Sequence, residues 1–258
     1  MKAIVLSAGQ GKRLLPLTRC EPKCLLPVDG QRTILETQLA TLARCGVERA
    51  TVVVGFGAAR VERFLATRPV PGMAVETLYN PFFETSDNLA TCWLARHEMD
   101  EPFVLLNGDT LFEDQVLLRI LDGPPSPIAV TIDHKRRYDD DDMKVSIDDD
   151  GRLLAIGKTL KTEMVNGESI GLLGFRGAGP KIFREALEQT IRQPEALRAW
   201  YLSVVNELAQ ETAVDTRSVR GLWWREVDAP EDLEEARRSF PGRQPREALR
   251  LSAAGAGS

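Results

Sequence analysis

Ala3-Ile-Val-Leu-Ser7 runs directly into Gly9-Gln-Gly11. Four apolar residues followed by closely spaced glycines predict a short buried strand that ends in a tight loop. The same alternation continues outward. After a polar loop punctuated by Pro16, Pro22, Pro27 and Gly30, residues 33–45 carry Ile34, Leu35, Gln38, Leu39 and Leu42 at helical spacing, with Gly46 as the stop. Residues 50–54 predict a strand, 58–65 a helix and 74–78 a strand. Ser86 is placed to cap a helix reaching Glu98. Residues 103–106 predict a strand ending at Asn107-Gly108-Asp109, and 113–121 a helix. Strands alternating with helices predict βαβ units and a parallel sheet. Such sheets bind ligands at the carboxyl ends of their strands, where both polar stretches, 7–11 and 107–109, would lie.

The second half is less regular. Strands are predicted at 127–133, 143–147, 153–156, 168–175, 214–219 and 223–227, and helices at 181–191, 197–210 and from Pro230 to Arg238. Acidic turns fall at 139–142 and 148–151, read as solvated. We expect one α/β domain over 1–240 and a flexible tail over 241–258, where Pro, Gly, Ser and Ala dominate.

Composition narrows the function. The chain has 258 residues, 43% hydrophobic and 28% charged, with mean hydropathy −0.20. These values argue against whole-chain disorder, collagen or coiled coil. Lys and Arg number 33 against 38 Asp and Glu, a net charge of −5, so no cationic excess awaits a nucleic-acid backbone. The longest apolar run near the start is Ala3–Leu6, which is neither a signal segment nor a membrane span. A soluble, cytoplasmic protein without membrane or nucleic-acid partners is expected. Cys20, Cys24, Cys45 and Cys92 read as reduced thiols. Neither charge nor apolar pattern marks a subunit interface.

The glycine loop is not a common nucleotide motif. The dinucleotide fingerprint needs a small residue where Leu14 stands. A P-loop needs Ser or Thr where Arg13 stands. What remains is Gly9, Gly11, Lys12, Arg13 and Lys23 within fifteen residues. Glycines let backbone N–H groups approach an anion and the cations neutralise it, so the group has the chemistry of a phosphate cradle.

The full string, Leu6-Ser-Ala-Gly9-Gln-Gly11-Lys-Arg13-Leu-Leu-Pro16-Leu-Thr18 followed by Pro22-Lys23-Cys-Leu-Leu-Pro27-Val28, resembles the signature of the nucleotidyltransferases. These enzymes join an NTP to a phosphomonoester and release pyrophosphate. The resemblance implies a Rossmann-like nucleotidyltransferase fold: a mixed, mostly parallel sheet flanked by helices, with a small β-rich region for the acceptor. It implies that Leu6, Ala8, Gly9, Gly11, Lys12, Asn88 and Gly108 line the nucleotide. Arg13 would hold the departing pyrophosphate and Lys23 the α-phosphate. Asp109 and Asp228, each at a strand end, match the two magnesium-binding aspartates, so Mg²⁺ is the implied cofactor. Asp228-Ala-Pro230 also reads as a cap before a helix.

Lys158 and Glu168 resemble acceptor-binding positions, and Lys144 is a second candidate for the acceptor phosphate. Ser86-Asp87-Asn88, in place of a Gln-Gly loop, brings the chain closest to the phosphocholine cytidylyltransferase branch. CTP is therefore the implied donor and phosphocholine or a related phosphate or phosphonate the acceptor. A quaternary ammonium calls for an aromatic cage, yet Tyr138 is the one aromatic residue in 133–170. A hexose-1-phosphate nucleotidyltransferase and a non-catalytic nucleotide-binding regulatory module are the alternatives. A phosphomonoester is already ionised near neutrality, so no general base is needed. That agrees with a chain holding two histidines and no nucleophile triad.

Overall fold

In the computed structural model, residues 1–30 and 32–240 are described; the expected tail at 241–258 lies outside them. In chain order the elements are β1 (Lys2–Ser7), β2 (Pro27–Asp29), β3 (Arg32–Thr33), α1 (Ile34–Arg44), β4 (Arg49–Val54), α2 (Ala58–Thr67), β5 (Ala74–Tyr79), α3 (Asn88–Leu94), β6 (Phe103–Asn107), β7 (Thr110–Phe112) and α4 (Asp114–Leu121). Then follow β8 (Ile128–Asp133), β9 (Lys144–Ile147), β10 (Leu153–Gly157), β11 (Gly167–Phe175), α5 (Gly179–Thr190), α6 (Tyr201–Glu211), β12 (Val214–Ser218), β13 (Trp224–Glu226) and α7 (Pro230–Ser239).

The main sheet runs β10-β9-β11-β6-β1-β4-β5, with β8 beside β11 and β12 beside β8. The first-half strands pair in parallel, as their alternation with helices requires. The second half joins through antiparallel β11. The result is the expected mixed sheet flanked by helices. Leu6 of β1 is in register with Asn107 of β6, which brings the two polar strand ends side by side.

Strand side chains alternate between two faces and feed two cores. Ile4 and Leu6 enter one with Phe103, Phe175 and Tyr201. Ala3 and Val5 enter the other with Leu35, Leu39 and Leu42 of α1. A third cluster fixes the site. Leu14, Leu26 and Val28 of the expected polar loop pack with Ile34, Leu111, Val227 and Leu233. That loop is thus an ordered arm with 3₁₀ turns at Lys12–Leu14 and Lys23–Leu25, because its leucines have apolar partners in β7, in Val227 just after β13 and in α7.

Three local readings change. Ser86 does not cap α3: its Oγ donates to the Phe82 carbonyl at 2.8 Å, and Asp87 holds the cap position. α3 ends at Leu94 and a 3₁₀ turn continues to Glu98. The helix expected from 197 is a 3₁₀ turn at Ala196–Arg198, an extended Ala199–Trp200, and then α6. No helix among the described residues is long and apolar enough to cross a membrane.

Candidate active site

The site begins at the end of β1. Gly11 has φ +70°, which favours glycine, and a Cβ there would stand 2.9 Å from Lys23 Cδ. The turn therefore lets Lys23 lie beneath it, 9% exposed. Lys23 Nζ donates to Asp109 Oδ2 at 2.9 Å and to Asp228 Oδ1 at 2.6 Å. Burial disfavours the Lys23 charge, but the two aspartates outweigh it and hold the pKa above the ordinary lysine value. Arg13 reaches across the mouth, donating to Asp228 Oδ2 at 2.7 Å and Asp141 Oδ2 at 3.2 Å. Lys12 is exposed and Gly9 faces open space.

Asp109, Glu226 and Asp228 bring carboxylate oxygens within 4.8 Å of one another. Glu226 and Asp228 converge because residues two apart along an extended chain point the same way. That spacing was the signal available in the sequence for Glu226, which was not among the expected metal-site residues. Burial disfavours the Asp228 charge, but Lys23 and Arg13 more than offset it and hold its pKa below the ordinary range. Glu226 makes no such ion pair: desolvation among the packed residues around it and the neighbouring charges of Asp109 and Asp228 push it up to about 8, against the opposing pull of Lys23 and Arg13. Asp228 does not cap α7 with its side chain. The Asp232 carboxylate accepts from the backbone N–H groups of Asp228 and Ala229, at 3.0 and 2.7 Å, leaving the Asp228 carboxylate to the cluster.

A cavity of about 240 Å³ opens from this cluster, lined by Leu6, Asn88, Asn107, Lys158 and Trp200 among others. Lys158 Nζ sits 4.8 Å above the Trp200 ring and 3.9 Å from Asp141 Oδ1. Trp200 and Asp141 were not among the expected site residues; the fold carries them to Lys158. Asn88 Oδ1 accepts from the Tyr201 backbone N–H at 3.0 Å, so its amide also has a structural task. Ala8 is buried and its carbonyl accepts from Phe56 N–H at 2.9 Å. Gly108 packs tightly: a Cβ there would lie 2.2 Å from Ser7 Oγ. Lys144 is 6% exposed, and its ammonium donates to the Lys158 carbonyl at 3.0 Å.

A second cavity, of about 590 Å³, shares Arg13, Asp141, Glu226 and Asp228 with the first. Nine carboxylates line it against three cations, with Trp224 as its aromatic wall. Glu168 belongs here, 5% exposed. Lys135 Nζ lies 2.7 Å from Glu168 Oε2 and 2.8 Å from Asp142 Oδ1. One ammonium shared between two carboxylates does not offset the burial of Glu168, whose pKa rises to about 7. The acidic turn is therefore not simply solvated: Asp141 pairs with Arg13 and Lys158 from other elements, and Asp142 with Lys135 of its own loop.

Comparison with known proteins agrees with this architecture. The family model described as a MobA-like NTP transferase domain matches residues 3–220. CMP-5'-(3-aminopropyl)phosphonate synthase of Streptomyces rubellomurinus is 32% identical over 265 residues, covering 97% of this chain and 40% of its own length. The bifunctional IPC transferase and DIPP synthase of Aquifex aeolicus is 27% identical over 92% of this chain and 51% of its own. The chain thus spans about half the length of these relatives or less. In fold it is similar to the inositol-1-phosphate CTP transferase from T. maritima, with a TM-score of 0.76 at 22% identity, covering 95% of this chain and 98% of that one.

Proposed function

The chain belongs to the MobA-like NTP transferase domain family, and on that premise we propose that it transfers a cytidylyl group from CTP to a small amine-bearing phosphate or phosphonate. The observation that carries this reading is the cluster of Asp109, Glu226 and Asp228, held against Lys23 and Arg13, opening on a cavity dominated by carboxylates. The first part supplies charge for a triphosphate; the second favours an acceptor whose tail is a cation. The name of the Streptomyces relative, a synthase of CMP-5'-(3-aminopropyl)phosphonate, agrees with both.

An oxygen of the acceptor dianion attacks the α-phosphorus, forming a new P–O bond. The bond from the α-phosphorus to the bridging oxygen breaks, and pyrophosphate leaves with its electron pair. Lys23 neutralises charge at the α-phosphate, and Arg13 holds the departing pyrophosphate. Lys158, against Trp200, holds the acceptor phosphate, and aligning two anions in one cleft is itself much of the catalysis. Backbone donors from Gly9 to Gly11 face the donor phosphates.

Mg²⁺ fits this donor set. Asp109 Oδ1 is buried without a hydrogen-bond partner, and three hard carboxylates converge. Asp109, Asp228 and Glu226 would hold the ion, which when bound supplies charge neutralisation of the triphosphate.

The test is pyrophosphate release from each of four NTPs against phosphomonoesters and phosphonates with and without a terminal amine, in Mg²⁺. Turnover with CTP and an amine-bearing acceptor is expected. Turnover restricted to UTP or dTTP with hexose phosphates would replace the reading by a sugar nucleotidyltransferase. NTP binding without turnover on any pair would make the chain a regulatory module.

A further inference from the structure

Gln38 breaks the pattern of its own helix. It occupies a position on the apolar stripe of α1, among Leu35, Leu39 and Leu42, and is 1% exposed. A buried amide costs stability unless its polar atoms are paired. Both of its N–H bonds are used: Nε2 donates to the Asn107 carbonyl at 2.8 Å and to the Thr110 carbonyl at 2.8 Å. Its Oε1 is buried with no partner. A polar residue kept at a core position with half its capacity unsatisfied is there for its donors.

The two carbonyls bracket Gly108-Asp109. From its other side this turn is tied by Gly108 N–H to the Leu6 carbonyl at 2.9 Å, and by Val227 N–H to the Asp109 carbonyl at 3.1 Å. Tyr201 O–H adds a bond to Asn107 Oδ1 at 3.2 Å. Gln38 grips the strand on either side of Asp109 from a helix whose N-terminus is fixed by the Thr33–Glu36 capping box. We propose that Gln38 is a positioning residue for Asp109: its amide clamps the Asn107–Thr110 turn, and so sets where the Asp109 carboxylate stands relative to Asp228 and Glu226. It acts through the backbone and touches no substrate. This inference rests on the metal-site reading above.

The experiment uses Mn²⁺ as probe, titrated into the full chain without nucleotide and followed by water-proton relaxation, with the Mg²⁺ activation constant for pyrophosphate release measured alongside. Gln38→Met keeps the volume and removes both donors; it should weaken Mn²⁺ binding about tenfold and raise the Mg²⁺ activation constant similarly, with KM for the acceptor unchanged at saturating metal. Gln38→Glu, which offers at most one donor, should fall between Met and wild type. Leu39→Ala, a fully buried neighbour in the same helix, controls for simple destabilisation: it should lower Tm and leave Mn²⁺ affinity within twofold. Unchanged Mn²⁺ affinity in both folded Gln38 variants overturns the clamp, as does equal weakening in Leu39→Ala. Wild type binding Mn²⁺ no better than Asp109→Asn would instead remove the metal site itself, and the clamp's purpose with it.

Discussion

The ammonium of Lys23 donates to Asp228 Oδ1 across 2.6 Å, joining side chains 205 residues apart in the chain. One cation from the arm after β1 thereby draws the segment after β13 against Asp109. Together with Arg13, which pairs with Asp228 Oδ2, it is what lets these carboxylates share a cleft.

Lys23→Ala should therefore act twice. In turnover it should lower kcat more than it raises KM for CTP, because charge builds at the α-phosphate in the transition state. In stability it should cost up to about 3 kcal/mol by removing the ion-pair partner of Asp109 and leaving Arg13 alone to offset Asp228, and added Mg²⁺ should restore more Tm to the variant than to wild type. Steady-state kinetics and thermal scans with and without Mg²⁺ check both halves; a pure KM effect would return Lys23 to ground-state binding.

Lys158 and Lys144 should separate cleanly. Lys158 faces the cavity beside Trp200, so Lys158→Ala should raise the acceptor KM roughly tenfold while sparing CTP affinity. The Lys144 ammonium is spent on the Lys158 carbonyl. Lys144→Met should cost about 1–2 kcal/mol of stability and change the acceptor KM less. Acceptor titrations at saturating CTP decide it; the reverse ranking would transfer the phosphate to Lys144.

Asp141 pairs with both Arg13 and Lys158, the cations assigned to the two phosphate groups. Substrates must displace it. Asp141→Asn should lower KM for CTP and for the acceptor, each by about twofold to fivefold, the worth of an exposed ion pair. A rise in either KM would show that this carboxylate contacts substrate directly.

Glu168 gives a pH signature. Its pKa is raised to about 7, so the folded state holds a proton that the unfolded chain, near 4.5, has released. Stability from this group is complete below about pH 4.5 and is lost as pH rises through about 7. Glu168→Gln, neutral throughout, should gain on wild type over that interval, by no more than about 3 kcal/mol. Urea midpoints of the two proteins from pH 4.5 to 8 measure it; a pH-independent difference would mean that Lys135 keeps Glu168 ionised throughout.

Much of this was legible in the chain. The parallel first half follows from β-branched runs spaced by amphipathic helices, while Lys23, Asp109 and Asp228 stand out through the resemblance of the stretches around them to the nucleotidyltransferase signature. Asp139–Asp142 read as a solvated turn although Lys135, which pairs with Asp142, stands only seven residues away; the partners of Asp141, Arg13 and Lys158, come from other elements. Trp200 was passed over because an aromatic contact to the acceptor region was sought within 133–170, whereas it arrives on the extended link before α6.

The sequence by itself determined the alternation of elements, the polar strand ends and the identity of the charged groups, since these depend on periodicity and on residues a few positions apart. Tertiary structure alone decided which of those groups meet. Register between β1 and β6 sets Asn107-Gly-Asp109 beside the glycine loop, and the third apolar cluster carries Asp228 to Lys23. Gln38 is the clearest case: its spacing placed it on an apolar stripe, and only the approach of β6 and β7 to α1 supplied the two carbonyls that give a buried amide a reason to be there.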